Sequence, residues 1–94
     1  MFGVNVVYKM KPGLRQDFLD GVIDGGIQNA IRQEPGCLQY DFFLPVSDEN
    51  TVLLVEKWTH REAQAAHMEL PNIARLQVVK NRCVDDMVMT QYDL

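Results

Sequence analysis

Only two cysteines, Cys37 and Cys83, occur in 94 residues, and they stand far apart with no CxxC and no His/Cys spacing suited to zinc. Free thiols are expected rather than a disulfide or a metal site. Positive charge is also scarce, with nine Lys and Arg against thirteen Asp and Glu, a formal net charge of −4. The basic residues form neither a run nor a stripe, which argues against a nucleic-acid backbone as partner. No apolar run approaches the ~18 residues a membrane span needs, and Met1 leads straight into Phe2-Gly3-Val4 with no basic leader, so a cytoplasmic location is expected. GxSxG, P-loop, GxGxxG and Ser/His/Asp patterns are absent, which leaves acyl transfer, nucleotide hydrolysis and Rossmann-type cofactor binding without support. Prolines number four, and there is no repeat, linker or low-complexity tract.

What remains is 47% hydrophobic and 23% charged, too apolar for disorder and too short for two ordinary domains, so residues 1–94 are expected to form a single domain. Phe2, Val4, Val6 and Tyr8 alternate with Gly3, Asn5, Val7 and Lys9, the period of a strand that the Lys11-Pro12-Gly13 turn ends. From Leu14 the period changes. Leu14, Phe18 and Val22, with Leu19, Ile23, Ile27 and Ile31, predict one helix running to Pro35-Gly36. Gly21, Gly25 and Gly26 lie inside it, each costing about 1 kcal/mol relative to Ala, and call for either close backbone approach or room for a ligand.

Cys37 to Leu44 and Thr51 to Trp58 predict a strand pair across the polar loop Ser47-Asp48-Glu49-Asn50. Leu38, Tyr40, Phe42 and Leu44 share one face of the first strand, and Val52, Leu54, Glu56 and Trp58 one face of the second. Thr59 and Glu62 have capping-box spacing, so a helix is expected from His60, with Ala63, Ala66, His67 and Leu70 along one side. Pro71 ends it, a further helical stretch with Ile73, Leu76 and Val79 follows from Asn72, and Met87 to Tyr92 predicts a last strand. The order strand, helix, strand, strand, helix, strand is that of an α+β fold of the ferredoxin-like, split βαβ type. Phe43, Leu53 and Val55 make the sheet's second face apolar as well, and a homodimer packing sheet on sheet would cover it.

Among residues able to carry chemistry, His67 points inward among small neighbours. It is either a pocket base with a pKa suited to proton transfer or a satisfied interior histidine. Trp58 is either a core aromatic whose indole N–H needs one partner or part of a binding wall. Glu56 is either a pocket carboxylate or half of a cross-strand pair with Lys or Arg. Tyr40 either offers its phenol to a ligand or packs. Asn5 and Gln28 carry weaker signals, and His60 is expected at an exposed helix start.

Val4-Asn5-Val6-Val7-Tyr8, Lys11-Pro12-Gly13, Glu34-Pro35-Gly36-Cys37-Leu38-Gln39-Tyr40-Asp41-Phe42-Phe43, Glu56-Lys57-Trp58 and Ala66-His67-Met68-Glu69-Leu70-Pro71 follow one another in the chain. In that combination the chain resembles the antibiotic biosynthesis monooxygenase (ABM) domain family, and within it the quinol monooxygenase group. The resemblance implies a dimeric α+β barrel that oxidises quinols or polyhydroxylated aromatics with O2, using no flavin, haem or metal. His67 matches the family's AH histidine and Trp58 its ExW tryptophan. Asn72 stands directly after the proline, where family members often carry a histidine. The resemblance therefore implies His67 as catalytic base and Trp58, Tyr40, Glu56 and Asn72 as substrate-binding residues, with a small aromatic or quinol-like substrate. Haem-degrading relatives carry their ligand histidine near the positions of Gln77 and Val78, so no haem ligand is expected here. An acid/base isomerase of a small phosphorylated metabolite and a non-catalytic small-molecule-binding dimer are the alternative readings.

Overall fold

A computed structural model describes all of residues 1–94. Its strands are β1 (Phe2–Met10), β2 (Cys37–Phe43), β3 (Thr51–Trp58) and β4 (Val84–Asp93). They form one antiparallel sheet in the order β2-β3-β1-β4, the ferredoxin-like arrangement. The alternation in β1 and β3 places Phe2, Val4, Val6, Tyr8, Met10, Val52, Leu54 and Trp58 under the helices, where all are buried. With the apolar stripes of the helices they make a core of seventeen buried hydrophobic residues.

The long first helix is not continuous. It divides into α1 (Arg15–Leu19), a π-helical turn (Asp20–Asp24) and α2 (Ile27–Arg32), with Gly26 left-handed at φ 80° between the last two. Each π turn carries an extra residue, which rotates the stripe, and Ile23 turns out to solvent while Phe18, Val22, Ile27 and Ile31 stay buried. The question posed by the glycines resolves to close approach. A Cβ at Gly21 would lie 2.9 Å from Val79 Cγ1, so its absence lets the helix pack onto the last helix of the chain.

That last helix is α4 (Pro71–Cys83), with Pro71 in its first turn, where a missing N–H costs nothing. Before it, α3 (Arg61–His67) begins one residue later than the capping-box spacing predicts. The cap is His60, whose Nδ1 accepts the Ala63 N–H at 3.2 Å, and Thr59 is not the capping side chain. β2 also departs from simple alternation. Cys37 pairs with Trp58 and Gln39 with Lys57, so Leu38 is the extra residue of a bulge. Leu38 and Leu44, expected beside Tyr40 and Phe42, are instead exposed, Leu38 on the bulge and Leu44 beyond the strand end.

On the sheet face away from the helices, Phe43, Leu53, Val7 and Val88 lie in register across all four strands as one apolar row. Its ends, Phe43 and Val88, are exposed. No helix is long and apolar enough to cross a membrane.

Candidate active site

The chemistry-bearing side chains gather under the helices, between the sheet and the α3–α4 corner. Strand alternation puts Glu56 and Trp58 on the same inward face of β3. The indole Nε1–H donates to Glu56 Oε1 at 3.0 Å, and both residues are buried. This meets the tryptophan's need for a partner within its own strand, and the cross-strand neighbours of Glu56 are Val4 and Tyr40 rather than Lys or Arg.

The Pro35-Gly36 turn after α2 brings Glu34 against α3. Its Oε1 accepts from His67 Nδ1, and its Oε2 accepts from Asn72 Nδ2 at 2.9 Å. A carboxylate only accepts, so Nδ1 carries the hydrogen and the tautomer is set. His67 Nε2 has no protein partner, yet no buried side-chain nitrogen or oxygen is sealed off without one, so Nε2 opens onto accessible space. The same reasoning applies to the Tyr8 and Tyr40 hydroxyls and to Glu56 Oε2.

That space is a cavity of about 60 Å³ bordered by Tyr8, Tyr40, Glu56, His67 and Lys80, and by apolar side chains that include Met68, Met87 and Met89. Behind His67 the Trp58 ring stacks at 4.7 Å between centroids and 33°, and Tyr40 meets the imidazole edge-on at 6.0 Å. Gln28 Nε2 fixes the strand beneath by donating to the Tyr40 carbonyl at 3.0 Å. A wider groove of about 430 Å³ between the end of α4 and β4 lies open to solvent and is lined by polar surface residues such as Gln77, Asn81 and Asp86. Only the small cavity is bordered by several buried proton-transfer groups.

Burial sets the electrostatics. It pushes the Glu56 carboxyl up to about 7, with the Glu34 charge adding to the rise and the Trp58 hydrogen bond and the Lys80 charge opposing it. The Tyr8 and Tyr40 phenols are raised by the same desolvation, and the Lys80 ammonium is lowered by it. The Cys37 thiol, half-buried beside this cluster, rises to about 11. No three His, Cys, Asp or Glu side chains converge as a metal-ligand set.

Of the residues singled out from sequence, His67, Tyr40 and Glu56 border the cavity together. Trp58 and Asn72 stand one layer behind it, Trp58 against the imidazole and Asn72 on Glu34. Asn5 lies on the opposite sheet face, accepting from the Tyr92 hydroxyl, and His60 is exposed at its cap. Sequence reasoning missed Glu34, Tyr8 and Lys80. Glu34 opens the EPGC stretch, Tyr8 continues the inward alternation of β1, and Lys80 follows Ile73 and Leu76 at helical spacing, so each had a signal.

The model of the family described as antibiotic biosynthesis monooxygenase matches residues 1–78. The Bacillus subtilis protein YcnE, provisionally named a monooxygenase, is 36% identical over 69 residues, or 73% of this chain and 70% of that protein. An uncharacterized Synechocystis protein is 30% identical over 63 residues, 67% of this chain and only 42% of its own length. A solved structure described as an antibiotic biosynthesis monooxygenase superposes with a TM-score of 0.85 at 26% identity, covering 100% of this chain and 98% of that one. A Deinococcus radiodurans structure, provisionally described in the same words, reaches 0.88 at 23% identity over 100% and 92% of the two chains, a likeness of fold.

Proposed function

Because the chain belongs to the antibiotic biosynthesis monooxygenase family, we propose that it oxidises a quinol or polyhydroxylated aromatic with O2, without a cofactor and with His67 as general base. One observation carries this reading: the hydrogen-bond chain Asn72–Glu34–His67 ends with Nε2 on a small cavity walled by phenols and apolar side chains. A quinol is a weak acid and a modest reductant, whereas its anion is electron-rich enough to reduce O2 directly. The protein then needs to take one proton, hold the ring and exclude water. His67 Nε2 takes the hydroxyl proton, Glu34 stabilises the imidazolium through Nδ1–H, and Asn72 keeps Glu34 in place. The quinolate passes one electron to O2, and the resulting radical pair combines to form a C–O bond. Overall a hydroquinone and O2 give a hydroxyquinone and water, in which the atoms balance.

An aromatic ring needs more room than the cavity of about 60 Å³ offers, since an apolar cavity of about 150 Å³ holds benzene. Met68 and Met89, half-exposed at its edge, are unbranched side chains able to swing aside. Lys80 is the sole cation on the wall, which suits one phenolate better than a phosphate dianion. A panel of hydroquinones in an oxygen electrode, with protein dialysed against a chelator and product analysed under 18O2, tests the reading. One labelled oxygen per hydroxyquinone is expected, and absence of protein-dependent oxygen uptake on every quinol would overturn it.

A further inference from the structure

We propose that Glu56, as a carboxylic acid, donates the proton that converts the departing hydroxide to water when the O–O bond of the oxygenated substrate breaks. This inference rests on the quinol-oxidising reading above. The two buried carboxyl groups of the site have opposite surroundings. Both oxygens of Glu34 accept hydrogen bonds, from His67 and Asn72. Glu56 receives one, from Trp58, and its other oxygen faces the cavity that His67 also borders. A buried pair held in such different environments divides the roles of base partner and acid.

The groups that face Glu56 do not replace it. Tyr8 comes from β1, Cys37 and Tyr40 from β2, Glu34 from the turn before β2, His67 from α3 and Lys80 from α4, whereas β4 contributes methionines. Burial makes the two phenols and the thiol hold their protons tightly, the thiol up to about 11. The Glu56 carboxyl, raised to about 7, both holds and releases a proton near neutrality.

The His67 imidazolium first returns the hydroxyl proton to the peroxide anion, which gives the hydroperoxide H–C–O–O–H on the substrate ring and frees Nε2, and Nε2 then takes the ring C–H proton. That C–H electron pair becomes the second bond of a new C=O, the O–O bond breaks, and the leaving hydroxide takes the Glu56 proton to form water. Return of the proton from His67 to Glu56 resets the pair.

Wild type and Glu56→Gln, which keeps the size and an oxygen to accept the Trp58 N–H, are compared for oxygen uptake, hydroxyquinone yield and released peroxide between about pH 5 and 9, a range of about two units either side of neutrality. Expected for the variant is hydroxyquinone formation lower by ~10²-fold or more, with peroxide released in its place. Wild type should lose turnover as pH rises through about 7, and the variant should lack that limb. Infrared difference spectra of the wild type, which need no active variant, should show a carboxylic-acid carbonyl band that disappears over the same range. A variant matching wild type in yield, peroxide release and pH profile overturns the role of Glu56 and leaves the quinol-oxidising reading intact. Wild type without quinol oxidation overturns both, and a wild-type spectrum without the band overturns the acid.

Discussion

Replacing Glu56 by Gln should stabilise the protein in mildly alkaline solution and change little in acid. The magnitude follows from linkage. Burial raises the carboxyl from 4.5 to about 7, so between those values the unfolded chain has lost a proton that the folded protein keeps. The folded state binds more protons there, and stability falls as pH rises. The favourable contribution is full below about 4.5 and is lost on passing through about 7. Two to three pH units at about 1.4 kcal/mol each amount to roughly 3 kcal/mol at pH 8 and above. In a domain of this size that corresponds to a difference of about 10–20 °C in melting temperature. Gln carries no charge to desolvate and can still accept the indole N–H, so the variant lacks this pH term. Urea denaturation of both proteins from about pH 4 to about pH 8.5 reads the difference directly. Curves that remain parallel throughout would refute the claim that Glu56 is buried as a neutral acid.

Trp58→Phe removes the hydrogen bond that lowers the Glu56 carboxyl, so the titration of Glu56 should move further upward, which infrared or NMR titration would detect. Glu34→Ala leaves the buried His67 Nδ1 unpartnered and should cost about 1–3 kcal/mol in chemical denaturation, together with lower oxygen uptake. Phe43→Glu places a charge at one end of the apolar row Phe43-Leu53-Val7-Val88. If two copies pack through this face, sedimentation should show wild type as a dimer at micromolar concentration and the variant shifted toward 10.8 kDa. A wild-type monomer would contradict that assembly.

The fold was legible where one side-chain period dominates. Alternation in Phe2–Met10 and Thr51–Trp58 marked both central strands, because their inward faces are apolar apart from Glu56. The break in the first helix was not legible. Leu19, Ile23, Ile27 and Ile31 keep a four-residue spacing, which hides the π turn that shifts their phase, and the reason for Gly21 within that turn, its close approach to Val79, is distant in sequence. The bulge at Leu38 likewise depends on pairing with β3, and no local pattern shows it. In the site, helix and strand periods sufficed to turn His67, Glu56, Trp58 and Tyr40 inward. Glu34 reaches His67 across 33 positions through a tight turn, so its partner could be found only once that turn was placed.

Steady-state oxygen uptake by His67→Ala beside wild type, on whichever hydroquinone the wild type turns over fastest, tests the central claim most directly. Loss of a positioned base predicts a fall of ~10²-fold or more in kcat/KM while the variant still melts cooperatively. Unchanged turnover in a folded His67→Ala protein would contradict it, leaving the histidine as a buried partner of Glu34 and nothing more.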